Sequence, residues 1–282
     1  MKVGYEEKTY EIYFNNELDS RSSMYFPPGQ VLEGLLGFDA AANSRNRNLW
    51  RIFGHPFWFW PHFSGVNLFD IAEELEVEIE TFTNRIPQIN ANLLLQYKRP
   101  VFITTSSGGE WHHWNEPYYR YSIDKDQHDL LNKIEESFGN QALVLYASPA
   151  IRSLDELVSA KQNKEIIEKS NFQKPSGLGN HRKNTYTQAG MYSIACSEPE
   201  ELKNFNLISE LERLDGSHNF SNTQFVINTS QIIEEVMASS TSYKKLISEY
   251  AELKKFKLIY SFLIMKVFRE TTGIQWSLSI KA

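Results

Sequence analysis

Hydrophobic and polar positions recur with different periods along these 282 residues, and the periods predict the elements. Residues 5–14 (YEEKTYEIYF) read as a short strand or edge element. Pro27-Pro28-Gly29 breaks the chain before a helical pattern from about Gln30 to Ile52. There Val31, Leu35 and Phe38 keep helical spacing, and Pro28 suits a first turn. The proline-bounded aromatic run from His55 to Pro61 predicts a short buried strand, and Leu68 to Leu75 one or two helical turns. Val77-Glu78-Ile79-Glu80-Thr81-Phe82 alternates with a period of two, the mark of a half-buried strand. After a turn at Arg85-Ile86-Pro87, the apolar run Leu93–Lys98 reads as a buried strand.

A polar and aromatic stretch, 104–122, follows, with Gly108-Gly109 and Pro117 as breakers. Asp126 to Phe138 predicts an amphipathic helix with Leu130, Leu131 and Ile134 as its apolar stripe. Ala142 to Ala147 is a continuous apolar strand ended by Pro149. The order helix, strand, strand, strand, helix, strand predicts an α/β core over 1–150. Residues 151–206 mix loops and short elements as an extension of that core. Residues 207–282 read as mostly helical, with Tyr243–Val267 the longest periodic stretch and a closing strand at Gln275–Ile280.

The strand ending in Leu95-Gln96-Tyr97-Lys98-Arg99-Pro100 carries the first chemical signal. Strand side chains alternate, so Gln96 and Lys98 share one face and Leu95 and Tyr97 the other. An ammonium and an amide at the edge of a core cost free energy unless partners satisfy them. A carboxylate, a metal ion and a phosphate form a natural partner set, which points to phosphodiester chemistry.

Composition narrows the classes. Hydrophobic residues make up 41% of the chain and aromatics 13%, enough for a packed core. No apolar run is long enough for a membrane span, and the N-terminal residues lack the apolar segment of a signal peptide. The single Cys196 excludes an internal disulfide and a multi-cysteine zinc site, so a reducing cytoplasm is the expected compartment. A net charge of −6 argues against a chain coated with basic residues but permits local basic patches.

With its αβββαβ order and a Gln-x-Lys closing the third strand, the stretch from about 25 to 150 resembles the PD-(D/E)xK nuclease superfamily. The likeness is to its Mrr-like and bacterial antiphage-effector branches, where Gln replaces the middle acid. The resemblance implies a restriction-endonuclease-like core with the helical C-terminal part appended. It also implies Mg²⁺, which Mn²⁺ can replace, held by an acid on the preceding strand and by Gln96, with Lys98 acting on the attacking water. Glu80 fits that acid, with Glu78 on the same face second and Asp70 further off; the family usually has Asp there. Glu33 is the matching first-helix acid, with Asp39 as alternative. Gln127, heading the next helix, matches a Gln that RecB-like members use.

Left to themselves, Glu78 and Glu80 are also readable as the solvated face of a strand. His112-His113 on a strand would face opposite ways, which argues against zinc. The aromatic residues around it suit a packed cover with some stacking capacity. Arg45 and Arg47 after the first helix, Arg99 at the site, and Arg182 and Lys183 in a Gly-rich loop are candidates for phosphate contact. The resemblance thus implies a metal-dependent deoxyribonuclease in antiphage defence, with RNA not excluded as substrate. It also implies gating by a partner protein or by oligomerisation. An inactive nuclease-fold subunit binding nucleic acid or protein, and a non-enzymatic adaptor, are the alternatives. Ile259, Phe262, Leu263, Ile264 and Met265 almost encircle the helix near its end, which predicts a homodimer or hetero-complex seated there.

Overall fold

Tyr10, Phe14 and Leu18 are buried at intervals of four, and that stripe makes Glu7–Arg21 a helix, α1, where a strand was expected over 5–14. Ile12, an inward position of the expected strand, is 48% exposed. The computed structural model describes residues 2–21, 25–26, 72–189, 192–196, 199–203, 206–214 and 220–280. The expected helix over 30–52 and strand over 55–61 lie outside them, as do Glu33, Asp39, Arg45, Arg47 and Asp70. The chain is a mixed α/β protein whose described residues fall into two compact units. One holds the described residues of 1–25 and 91–216, the other those of 26–90 and 217–282. The short strand β1 (Tyr25–Phe26) falls at one division.

Helix α2 (Ala72–Arg85) belongs to the second unit and corrects the strand expected over 77–82. Its buried residues, Ala72, Leu75, Ile79 and Thr83, follow a helical stripe, while Val77 is 62% and Phe82 36% exposed. A period-two match over six residues cannot outweigh a 3.6-residue stripe that continues beyond both its ends.

β2 (Ile89–Tyr97) is buried throughout, as expected for the apolar run. In the first unit it pairs in parallel with β5 (Ala142–Pro149), from Asn92 opposite Ala142 to Tyr97 opposite Ala147. Between them lie β3 (Val101–Ile103), a single-turn helix α3 (Trp111–Trp114), β4 (Tyr118–Ser122) and helix α4 (Lys125–Phe138). His128, Leu131, Ile134 and Phe138 form the buried stripe of α4; Leu130, expected in it, is half-buried. After α5 (Leu154–Asn163), β6 (Ser170–Gln173) pairs antiparallel with β5.

A second sheet is wholly antiparallel. Past the short helix α6 (Pro175–Leu178) come β7 (Lys183–Tyr186), β8 (Ser193–Ala195) and β9 (Glu200–Leu202), and the order is β3-β4-β7-β8-β9. Helix α7 (Leu207–Arg213) closes the described part of this unit.

Against the first sheet, Tyr10, Phe14, Tyr97 and Phe172 pack edge to face, with ring centroids 5.5–5.8 Å apart. Glu17, buried on the same face of α1, accepts from the backbone N–H groups of Ile166 (2.7 Å) and Ile167 (3.3 Å) and from Arg21 (3.0 Å).

The second unit is mostly helical, with α8 (Asn222–Val236), α9 (Thr241–Ser248), α10 (Lys257–Thr272) and the expected closing strand β10 (Gln275–Ile280). The long helix expected over 243–267 is broken by a one-turn 3₁₀ segment, Ala251–Lys255. The Glu76 carboxylate of α2 accepts from the first N–H groups of α10, Leu258 (2.8 Å) and Ile259 (2.9 Å), so a distant side chain starts that helix. Gly273, at φ 73°, ends it and donates its N–H to the Arg269 carbonyl. Helices α2, α8 and α9 pack on α10, and every residue from Leu258 to Met265 is buried. Phe262 and Met265, expected at an interface between subunits, are therefore covered within the chain. The apolar girth of the helix gives no reason for a second subunit.

Candidate functional site

At the end of β2 the side chains alternate as the sequence required. The Tyr97 hydroxyl donates to Asn15 of α1 (2.7 Å). Gln96 and Lys98 turn to the opposite face and both meet Gln127 of α4. Asp124 fixes that meeting point by accepting the Gln127 N–H at 3.0 Å, an N-cap that holds the first turn of the helix. The Lys98 N–H donates to the Ala147 carbonyl (2.9 Å), and its own carbonyl accepts from the Ser148 hydroxyl (3.0 Å). The residue is thus anchored although β2 has ended.

The polar groups form a directed chain. Lys98 Nζ donates to Gln127 Oε1, Gln127 Nε2 donates to Gln96 Oε1 at 2.7 Å, and Gln96 Nε2 donates to the Tyr97 carbonyl at 3.0 Å. Lys98 Nζ also stands 5.5 Å from the centre of the Tyr146 ring. That ring is held in turn by its contact with His128, whose Nδ1 lies 3.1 Å from the Tyr146 hydroxyl and whose Nε2 lies 2.6 Å from the Gly179 carbonyl. A carbonyl only accepts, so Nε2 carries a proton.

Burial lowers the affinity of Lys98 for its proton, and the negative charges of Glu7 and Asp124 oppose that shift. Burial raises the Glu7 carboxyl above the usual range, against the Arg99 N–H (3.0 Å) and the charge of Lys98. A half-buried cation within electrostatic reach of a half-buried carboxylate, at the end of a parallel strand, is a concentration of chemistry of the kind functional sites use.

Several expected residues stand elsewhere. Glu80 and Glu78 sit on α2, Glu80 exposed and Glu78 half-buried, so the shared strand face that paired them with Gln96 does not exist. Arg99 holds the N-terminal segment, donating to Glu6 (2.8 Å) and to the Val3 carbonyl (2.8 Å). Arg182 is exposed, whereas Lys183 bonds Glu110. His112 and His113 lie in α3, not a strand, with their rings 3.8 Å apart. Gln127, a minor candidate in the sequence, is the hub of the cluster. Glu7 was missed because 5–14 read as a strand. A helical reading would have placed it in the first turn of α1.

The chain matches no protein-family model, no curated protein and no solved structure. Function therefore rests on the geometry. Among the described residues no group of three or more His, Cys, Asp or Glu side chains could hold a metal ion. The Gln96 amide oxygen, and the Glu7 and Asp124 carboxylates that act on Lys98 electrostatically, are each hard oxygens of the kind Mg²⁺ and Mn²⁺ take.

A second charged cluster lies on the antiparallel sheet. The buried Glu110 carboxylate accepts from Arg120 (2.9 Å), Lys183 (2.9 Å) and the Tyr118 hydroxyl (2.9 Å). Burial alone would raise its pKa, but the bonds from Lys183, Arg120 and Tyr118 prevail and hold it at about 2. Because the folded value lies below the ordinary 4.5, the network's contribution is complete above that value and fades as pH falls toward about 2. Glu110→Ala is expected to destabilise the protein by about 2–3 kcal/mol near neutrality, since it strands two cations. Urea unfolding should show that difference shrinking at about pH 3; an equal difference at both pH values would contradict the assignment.

Proposed function

We propose that this chain hydrolyses phosphodiester bonds, with DNA as substrate, at the C-terminal end of β2. The observation that carries the reading is the chain from Lys98 through Gln127 to Gln96, with Glu7 and Asp124 close enough to act on Lys98 electrostatically. In this role Lys98 faces the phosphate and stabilises charge growing on it during attack. Gln127 is a positioning residue that fixes the ammonium. Gln96 offers its amide oxygen to Mg²⁺. When bound, the cation supplies Lewis-acid activation of the phosphate and of water. The resemblance to antiphage effectors extends the proposal to defence, with activity gated by a partner or by self-association.

Incubation of the purified chain with supercoiled plasmid tests the reading. Nicking or linearisation is expected with Mg²⁺ or Mn²⁺ and none with EDTA. Complete absence of cleavage on DNA and RNA across divalent cations would reject it. Gln127→Ala is expected to lower the turnover rate by about 10–100-fold with little change in substrate affinity, the usual cost of losing an orienting contact.

One observation favours a second reading, a nuclease-fold subunit that binds nucleic acid without cutting it. The acids expected on the neighbouring strand, Glu78 and Glu80, stand on a helix instead. Binding of DNA in a gel-shift assay without cleavage would select it.

A further inference from the structure

Two buried polar side chains stand next to the Lys98 cluster without belonging to its chain of bonds. Tyr146 lies opposite Gln96 across the β2–β5 pair and so shares the face that carries Lys98. His128 is the first residue of the buried stripe of α4, which is otherwise apolar: Leu131, Ile134 and Phe138. Leucine at 128 and phenylalanine at 146 would fill the same space with no polar group to satisfy.

Their bonds have a fixed direction. The Gly179 carbonyl takes the Nε2 proton of His128 at 2.6 Å, so Nδ1 of the neutral ring is an acceptor. The Tyr146 hydroxyl, 3.1 Å away, donates to it. Burial, with the charges of Asp124 and Asp129, raises the Tyr146 hydroxyl, which keeps its proton for that bond. A phenol that donates leaves more electron density on its ring, and the ring face then attracts a cation more strongly. Lys98 Nζ is that cation, 5.5 Å from the ring centre. The rings of Tyr121 and His128, each centred 6.0 Å away, hold the phenol in place.

Gln127 and His128 are neighbours in the first turn of α4, so one turn reaches the ammonium twice, once directly and once through a ring. We propose that His128 is a positioning residue that fixes the Lys98 ammonium through the Tyr146 ring, complementing the direct bond to Gln127. The role rests on the reading of Lys98 as the group that stabilises charge on the phosphate. His128 is 3% and Tyr146 0% exposed, so neither touches a substrate.

NMR of the full chain carrying ¹³C-lysine reads the contact without any substrate, from the Lys98 methylene beside the ammonium, assigned with Lys98→Arg. The ring current of Tyr146 is expected to hold that signal upfield of its place in Tyr146→Leu. His128→Leu should move it most of the way to the Tyr146→Leu position. Tyr146→Phe, which removes one oxygen and leaves the core filled, should move it part of the way, and it decides alone if His128→Leu does not fold. In plasmid cleavage, His128→Leu and Tyr146→Leu are each expected to lower kcat about tenfold with KM unchanged, the usual cost of losing an orienting contact. Because His128 acts through the ring, the double variant should lose no more than Tyr146→Leu alone. A Lys98 signal at its wild-type place in either folded variant would overturn the inference, as would losses that multiply in the double variant. A wild-type chain that cuts neither DNA nor RNA would reject hydrolysis at Lys98, and the NMR comparison would still decide whether His128 places the ammonium.

Discussion

Lys98→Ala is expected to reduce plasmid cleavage by about 10²–10³-fold, the typical loss when one preorganised stabiliser of transition-state charge is removed. The fold should survive. Lys98 lies beyond the last paired residue of β2, and the packing of that strand end rests on Tyr97 against Tyr10 and Phe14. Its side chain bonds Gln127, whose backbone is held by the Asp124 cap and whose side-chain amide keeps its bond to Gln96. An unchanged circular dichroism spectrum and melting temperature should therefore accompany the loss. Lys98→Arg keeps the charge but changes its shape and reach, so it should recover activity only partly. Cleavage by Lys98→Ala at the wild-type rate would remove the assignment of this cluster to chemistry.

The largest loss of stability is expected from Phe14→Ala, about 3–5 kcal/mol, from lost burial and the cavity left behind. Phe14 is fully buried and touches Tyr10, Tyr97 and Phe172 edge to face, so three rings lose a neighbour at once. Substitution of Ile12, two positions away and 48% exposed, should cost well under 1 kcal/mol. Urea unfolding of the two variants decides between α1 as a helix and the strand reading of 5–14. A strand would bury positions 10, 12 and 14 together, and both variants would then be equally damaging. A Phe14→Ala chain as stable as the wild type would contradict the packing of α1.

How much was legible in the sequence depended on how far each signal reached along the chain. The strands Leu93–Lys98 and Ala142–Ala147, the helix over 126–138 and the closing strand 275–280 were readable because continuous apolar runs and long stripes leave one period in possession. The face shared by Gln96 and Lys98 followed from strand alternation alone. Two segments failed for a common reason. In YEEKTYEIYF and VEIETF a few residues alternate by accident, and only the buried partners decide which positions matter. Tertiary packing also cut the stretch 243–267, because the first turn of α10 is satisfied by Glu76 from a distant helix.

The candidate site divides along the same line. The sequence by itself determined that an ammonium and an amide stand on one face at a strand end, since covalent alternation fixes that. Only the tertiary structure decided what they meet. Gln127 became the hub because the Asp124 cap sets the first turn of α4 against β2. Glu7 became the nearby carboxylate because α1 is a helix that lies along the same sheet. Glu80 lost its expected place because a helix, not a strand, carries it. Local periodicity constrains where a side chain points, whereas the partner it reaches is set by contacts distant in sequence, which no local pattern records.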